Sequence, residues 1–199
     1  MRRPVNLSSE VPLSTSLLLI CAAATRSSRI GGFPRIDEPL DDAGRSDAAA
    51  LTLPDRFRAR VMASPARSAM ETAHAIGVEA VPEQALRDID HGRWAGQRFT
   101  DVEASDGQAL IEWLSDPTKG CPGGESMDQA KGRIAPWIDG LSASDGAICA
   151  ISHAMTIRVA MAHMIDMPFH TTLAIDIAPL SRLHLSFHGR WRLQALERA

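Results

Sequence analysis

The chain has 199 residues, of which 45% are hydrophobic, so it is long enough for one sizeable core and too short for two ordinary domains. Its formal net charge of -3 excludes the basic surface that binding to nucleic acid requires. Its three cysteines are widely spaced and form no C-x-x-C pair, so we expect a reduced, cytoplasmic chain without a redox motif.

The N-terminal region divides into a polar part and an apolar run. Residues 1–16 lack hydrophobic periodicity and contain two prolines, which predicts a loosely held tail, with the domain at 17–199. The apolar run at 17–24 superficially resembles a signal peptide. It is too short to span a bilayer, and its first five residues are typical of a strand buried on both faces. We therefore expect no membrane segment.

The first predicted strand-and-helix unit lies at 59–77. Residues 59–63 form a second short apolar run, which predicts another buried strand. Ser64 and Pro65 then give the signature of a helix N-terminus, with Ser64 as the capping residue. Small apolar residues recur at helical spacing until Gly77, so we predict a strand, a tight turn and a helix.

An amphipathic helix and a second strand-and-helix unit follow. Ser126 and Gln129 form a capping box, and one apolar stripe runs along the helix after it, formed by Met127, Ala130, Ile134, Trp137, Ile138 and Leu141. The apolar run at 147–151 predicts a further buried strand. It passes through a polar tip at His153 into an apolar helix over 157–164.

The C-terminal stretch has the alternating pattern of an antiparallel strand. Leu183, Leu185 and Phe187 alternate with polar residues, and a turn at 189–190 leads into a second strand over 191–196. Repeated strand-and-helix units with this finish predict a three-layer α/β/α sandwich with a mostly parallel central sheet and an antiparallel edge strand. Ligands of such folds bind in the crevice at the carboxyl ends of the strands.

Six segments carry motifs: LLLICAAAT at 17–25, DEPLDDAGRSDAAAL at 37–51, ASPARSAMETA at 63–73, LRDIDHGRWAG at 86–96, PGGES at 122–126 and ISHAMTIRVAMAHMIDMP at 151–168. In this order they resemble the histidine phosphatase, or phosphoglycerate mutase-like, superfamily. The resemblance covers nearly the whole domain, and six motifs in the right order and spacing rarely arise by chance.

The resemblance implies a phosphoryl-transfer site whose reactive centre is missing. In the family a neutral imidazole attacks phosphorus, arginines and a second histidine hold the phosphoryl oxygens, and a carboxylic acid protonates the leaving oxygen. In the first loop, Cys21 stands at the position of the family's arginine, Ala22 at the nucleophilic histidine and Ala23 at the glycine. An alanine cannot attack phosphorus. Thr25 matches the threonine of this motif.

Other family positions are retained. His153 matches the second histidine, Asp88 falls at the position of the acid, and Arg29 resembles the arginine of the R-x-Q-G segment. The family's second arginine falls on Ser68, with Arg67 one residue early, and one residue on a helix turns a side chain by about 100°. The resemblance implies His153 and Asp88 as catalytic residues and a phosphate-binding set formed by His153, Arg29, Arg67, Cys21 and Thr25.

Three of these residues also have a plain structural interpretation. His153 could simply cap the helix that follows it, and Asp88 could be a solvated or ion-paired surface carboxylate. Buried cysteines at strand ends are usually packing residues, so Cys21 has the same alternative. The remaining histidines have no metal-ligand spacing, and we expect neither a metal nor a cofactor.

Three functions remain open on the sequence alone. The first is a catalytically impaired pseudophosphatase that keeps a pocket for a small phosphorylated molecule or an inorganic anion. The second is an active phosphatase that uses water or Cys21 as the nucleophile. The third is a protein-interaction module. The sequence also leaves a homodimer open.

Overall fold

A computed structural model of the chain describes residues 14–142 and 144–198. A mixed sheet of six strands crosses the domain in the order β3-β2-β4-β1-β5-β6. Strands β1 to β4 are mutually parallel, whereas β5 runs antiparallel to both β1 and β6. The strands are β1 (Thr15–Cys21), β2 (Val61–Ala63), β3 (Val81–Pro82), β4 (Gly146–Ser152), β5 (Arg182–Phe187) and β6 (Trp191–Glu197).

Seven α-helices accompany the sheet within the described residues: α1 (Arg26–Ile30), α2 (Asp42–Ala50), α3 (Arg67–Ile76), α4 (Phe99–Ser115), α5 (Met127–Ser142), α6 (Ala154–Met164) and α7 (Phe169–Thr172). The apolar faces of α5 and α6 pack on one side of the sheet, and those of α2 and α3 pack on the other. The predicted three-layer α/β/α sandwich with an antiparallel edge is therefore confirmed.

Strand β1 lies at the centre of the sheet. Leu17 and Leu19 belong to the core with α5 and α6, whereas Leu18 and Ile20 belong to the core with α2 and α3. All four side chains are almost completely buried, because successive residues of a strand point to opposite faces and both faces are covered by helices. The uninterrupted apolar run therefore has the structural role that its pattern predicts.

The first strand begins two residues before residue 17, the start of the domain that the sequence predicts. Strand β1 starts at Thr15, which is completely buried and donates a hydrogen bond through its hydroxyl to the carbonyl of Leu141 at 3.1 Å. A polar residue at the start of a strand breaks the apolar run, so the pattern placed the start at residue 17. The remainder of the predicted tail, 1–13, lies outside the described residues.

Two helix signals had different outcomes. The capping box is confirmed, since the Ser126 and Gln129 side chains each accept a hydrogen bond from the other residue's backbone N–H. The prediction that Ser64 caps α3 is wrong, because the N-cap residue is Ala66. The Ser64 hydroxyl instead accepts a hydrogen bond from the backbone of Ala66 within the turn and contacts His153.

Helix α4 was not predicted from the sequence. Only Val102 and Leu110 are buried along its 17 residues, too few to draw an apolar stripe. It packs on a separate aromatic cluster that contains Phe33 and Trp94. No helix of the described residues is long and apolar enough to cross a membrane.

Candidate functional site

A crevice of about 500 Å³ opens at the carboxyl ends of β1 and β4. Because parallel strands end at the same edge of a sheet, the loop after β1 and the tip after β4 meet there. Five of the seven residues singled out by the sequence line this crevice: Cys21, Ala22, Thr25, Asp88 and His153. An adjoining cavity of about 340 Å³ shares five lining residues with it: Pro34, Ser68, Asp88, His91 and His153.

His153 is held by two side chains from other parts of the fold. Its Nε2 lies 2.8 Å from the hydroxyl of Ser64, and its Nδ1 lies 3.7 Å from Oδ2 of Asp88. Although His153 is the N-cap residue of α6, its side chain makes no capping hydrogen bond. The plain capping interpretation is therefore wrong, and the imidazole faces the crevice.

Asp88 is a largely buried carboxylate between two histidines. Its Oδ2 lies 3.7 Å from His153 and 3.8 Å from Nε2 of His91, and its Oδ1 accepts the backbone N–H of Ile89. Burial alone would raise its pKa, but His153, His91 and the Ile89 N–H outweigh burial and lower the pKa of Asp88 to about 2. The interpretation as a solvated surface carboxylate is wrong, and Asp88 is ionised at neutral pH.

Burial disfavours the charged form of His153 too, but for a base this lowers the pKa instead of raising it. Burial lowers the pKa of this imidazole, the Asp88 carboxylate opposes the shift, and Coulombic interactions with His91 and Arg133 act in the same direction as burial. His153 is therefore mostly neutral at neutral pH. At acid pH it gains a proton and forms an ion pair with Asp88, which explains how it keeps that carboxyl ionised.

A buried ion-pair network fixes the segment that carries Asp88. The guanidinium of Arg133 donates to the carbonyl oxygens of Ala85 at 2.6 Å and Asp88 at 3.2 Å. Glu125 accepts from Arg133 at 2.8 Å and from Arg87 at 2.8 Å, and its side chain is only 6% exposed. The glutamate of the PGGES segment therefore acts on the crevice indirectly, by positioning Asp88.

The loop after β1 is fixed by its own backbone. The amide of Cys21 donates to Ser181, that of Ala22 to the carbonyl of Ser152 at 2.7 Å, and that of Ala23 to the hydroxyl of Thr72 at 3.0 Å. These three N–H groups are already bonded within the protein, so they cannot also bind an anion. The side chains of Ala22 and Ala23 present only methyl groups.

Thr25 ends this loop as the N-cap residue of α1. Its hydroxyl accepts the backbone N–H of Ser28, and the Ser28 hydroxyl in turn accepts the N–H of Thr25. Thr25 lines the crevice, but one lone pair of its hydroxyl is used in this cap. Its main structural effect is to set the direction in which the chain leaves the crevice.

Cys21 is a buried thiol. Burial, with a further contribution from the Asp88 carboxylate, raises the pKa of Cys21 to about 12. A cysteine acts as a nucleophile only as the thiolate, and almost none is present at neutral pH with such a pKa. The structure thus favours the packing interpretation of Cys21.

Arg29 and Arg67 are not brought to the crevice. Arg29 forms an ion pair with Asp41, and Arg67 pairs with Glu71 at 2.7 Å; both arginine side chains are about half exposed. Ser68, one residue after Arg67, lines the crevice instead, as expected for a turn of about 100° per helical residue. Among the described residues that line the crevice, none is arginine or lysine.

Sequence reasoning missed His91, Ser64 and Arg133 as parts of the site. His91 is three residues after Asp88, and this spacing within a motif segment was the one available signal. Ser64 and Arg133 reach the site through contacts distant in sequence, which no local pattern reveals. Within 14–142 and 144–198, no group of three or more histidine, cysteine or acidic residues is arranged to hold a metal ion.

Comparisons with known proteins agree with the fold. A family model described as histidine phosphatase superfamily (branch 1) matches residues 17–198. The mycobacterial glucosyl-3-phosphoglycerate phosphatase Rv2419c, solved as a complex with VO3, superposes with a TM-score of 0.82 at 25% identity over 92% of this chain and 99% of that chain.

Two relatives are similar in sequence. The bifunctional protein Rv2228c of Mycobacterium tuberculosis is 29% identical over 131 residues, which cover 62% of this chain but only 36% of that longer protein. Phosphoserine phosphatase 1 of Hydrogenobacter thermophilus is 23% identical over 181 residues, covering 85% of this chain and 86% of that protein.

Proposed function

Since the chain belongs to the histidine phosphatase superfamily, we propose that it is a catalytically impaired member, a pseudophosphatase whose crevice still binds a small molecule. The observation that carries the proposal is the loop after β1, where Cys21, Ala22 and Ala23 stand in place of the Arg-His-Gly motif. Ala22 lines the crevice with a methyl group, and the pKa of the neighbouring thiol, about 12, leaves it protonated. We therefore expect no covalent phosphoenzyme at Ala22 or Cys21.

The relatives support a small-molecule ligand. Their names describe phosphatases for phosphoserine and for glucosyl-3-phosphoglycerate. A crevice of about 500 Å³ lies within the usual range for small-molecule sites. We propose binding without turnover as its function. A protein-interaction module remains the alternative, and a melting temperature that no small molecule shifts would favour it.

A phosphorylated molecule or inorganic anion was the ligand expected from the family. Of the phosphate-binding set, His153, Cys21 and Thr25 line the crevice, while Arg29 and Arg67 are paired on the surface. A phosphoryl group beside His153 would also approach the ionised Asp88. We therefore propose that any phosphate affinity is weak, with a dissociation constant in the millimolar range or above, about 4 kcal/mol of binding free energy or less.

A second candidate is slow hydrolysis by direct attack of water. His153 and Asp88 remain together in the crevice, and an ionised carboxylate can accept a proton from water. Loss of a covalent nucleophile lowers the rate by several orders of magnitude, although positioned charges alone leave some catalysis. Activity of this kind would depend on both residues.

The test compares the natural protein with a revertant that carries Cys21→Arg, Ala22→His, Ala23→Gly and Ser68→Arg. Hydrolysis of an aryl phosphate and of phosphoserine is measured for both. We expect no turnover by the natural protein and measurable turnover by the revertant. A control lacks only Ala22→His, which separates restored chemistry from restored binding. Robust turnover by the natural protein that His153→Ala abolishes would refute the proposal and favour the second candidate.

A further inference from the structure

The crevice has an unusual balance of charge for a fold that handles phosphate. Two carboxylates, Asp88 and Asp176, line it, and no guanidinium or ammonium group does so among the described lining residues. The adjoining cavity adds Asp37 and Asp90 together with Arg35 and Arg87. These two arginines are already paired, Arg35 with Asp37 at 3.0 Å and Arg87 with Glu125 at 2.8 Å.

Cations outside the lining offset this charge only in part. Asp176 pairs with Arg198, but both side chains are about two-thirds exposed, so solvent screens the pair. Arg158 donates to the carbonyl oxygens of Thr172 and Ile175, and its charge also acts on Cys21 and Asp176 of the lining. His153 is mostly neutral at neutral pH.

Part of the lining of the crevice is aromatic. Phe33, Phe99 and Trp113 all line the crevice, with ring centroids between 4.6 and 6.4 Å apart. The faces of aromatic rings carry partial negative charge and attract organic cations, and the tryptophan ring attracts them most strongly. Carboxylates and aromatic rings in one cavity therefore favour a positively charged ligand over an anion.

We propose that the crevice binds a small organic cation, a molecule with an ammonium group and no phosphoryl group. The proposal rests on the small-molecule crevice of the proposed function and specifies its ligand. A tetrahedral phosphate dianion would be repelled by Asp88 and Asp176 and would find no free guanidinium group. An ammonium group would be attracted both by the two carboxylates and by the faces of the aromatic rings.

The test is a titration of three probes into the full chain near neutral pH, with calorimetry and tryptophan fluorescence as the readouts. The probes are choline, its uncharged isostere in which carbon replaces nitrogen, and inorganic phosphate. We expect choline to bind at least about tenfold more tightly than either of the other two. Equal binding of choline and its isostere would overturn the cation proposal, and so would tighter binding of phosphate.

Three variants locate the site. Asp88→Asn is expected to weaken choline binding about tenfold and the more exposed Asp176→Asn about threefold, because solvent screens the latter charge. Asp101→Asn removes an equal charge from an exposed pair with Arg98 and should leave binding unchanged. If Asp88→Asn does not fold, the choline dissociation constants of Asp176→Asn and Asp101→Asn are compared with each other instead. Equal effects of Asp176→Asn and Asp101→Asn would overturn the assignment.

The outcomes separate this proposal from the previous one. Phosphatase turnover by the natural protein would refute the pseudophosphatase and leave the choline result standing. Binding of phosphate without turnover would support the pseudophosphatase and refute the cation ligand. Binding of none of the probes would overturn the cation ligand and favour the interaction module.

Discussion

Oδ2 of Asp88 lies 3.7 Å from Nδ1 of His153, and both groups are mostly buried. The pKa of Asp88 is lowered to about 2, so its stabilising contribution is complete above its unfolded-state pKa and is lost as the pH falls towards 2. The pKa of His153 is lowered by burial, so the neutral imidazole stabilises the fold above its unfolded-state pKa of about 6.5. Both groups therefore make the fold less stable as the pH falls.

Asp88→Asn should make this pH dependence weaker. Lowering the pKa of Asp88 to about 2 corresponds to about 2 kcal/mol of stability, which the variant is expected to lose at about pH 6. The difference in the free energy of unfolding between the variant and the natural protein should shrink towards about pH 2, where the Asp88 carboxyl becomes protonated in the folded as well as the unfolded state. Urea denaturation across this range measures it, and a difference that does not change with pH would contradict the assigned ion pair.

Gly44 allows α2 to approach the loop after β1. A Cβ at this position would lie 2.2 Å from the carbonyl oxygen of Ala24, so Gly44→Ala should lower the free energy of unfolding by about 1–3 kcal/mol through overpacking. Gly132→Ala is the matched control, since its Cβ would meet nothing within 4 Å and helix propensity predicts a gain of up to about 1 kcal/mol. Chemical denaturation compares them. Equal effects would mean that α2 can move away from the loop.

The three thiols should be inert in the folded protein. Burial raises the pKa of Cys21, Cys121 and Cys149 to about 12 each. We expect alkylation at about pH 8 to be slower by roughly two orders of magnitude or more in the native chain than in urea, where all three cysteines react. Mass spectrometry reports the modified positions. Rapid native labelling of Cys21 would revive its candidacy as a nucleophile.

Glu125 should be the most costly carboxylate to neutralise. Glu125→Gln leaves the mostly buried Arg133 without its charged partner and is expected to lower the free energy of unfolding by about 3 kcal/mol. Asp101→Asn breaks an exposed pair and should cost less than about 1 kcal/mol. Thermal and urea denaturation compare the two variants. Similar losses would show that the buried ion pairs of Arg133 stabilise the fold no more than an exposed pair does.

The arrangement of strands could be predicted because the central strands are buried on both faces. Their apolar runs at 17–21 and 147–151 stand out against the amphipathic helices, and the hairpin at the edge alternates clearly. Helix α4 could not be predicted, since it rests on the aromatic cluster around Phe33 and exposes Ile111 and Leu114. A helix with a sparse buried face carries little periodic signal.

The site was predictable where it depends on strand ends and not where it depends on surface pairing. Residues directly after β1 and β4, such as Ala22 and His153, had to meet at one edge of the sheet. Arg29 is held away by Asp41, twelve residues on, through a contact that sequence spacing does not specify. Arg67 differs, because its pair with Glu71 has the helical i,i+4 spacing and could have been anticipated.

At residues 21–23 of the loop after β1, the hydrogen bonds are donated by main-chain N–H groups. Its course is therefore largely independent of the side chains at Ala22 and Ala23, and a reactive group can be lost or regained there without refolding its surroundings. At this point of the chain the side chains determine the chemistry, whereas the backbone determines the structure. The same backbone frame is therefore a starting point for installing a catalytic side chain at positions 22 and 23 by design.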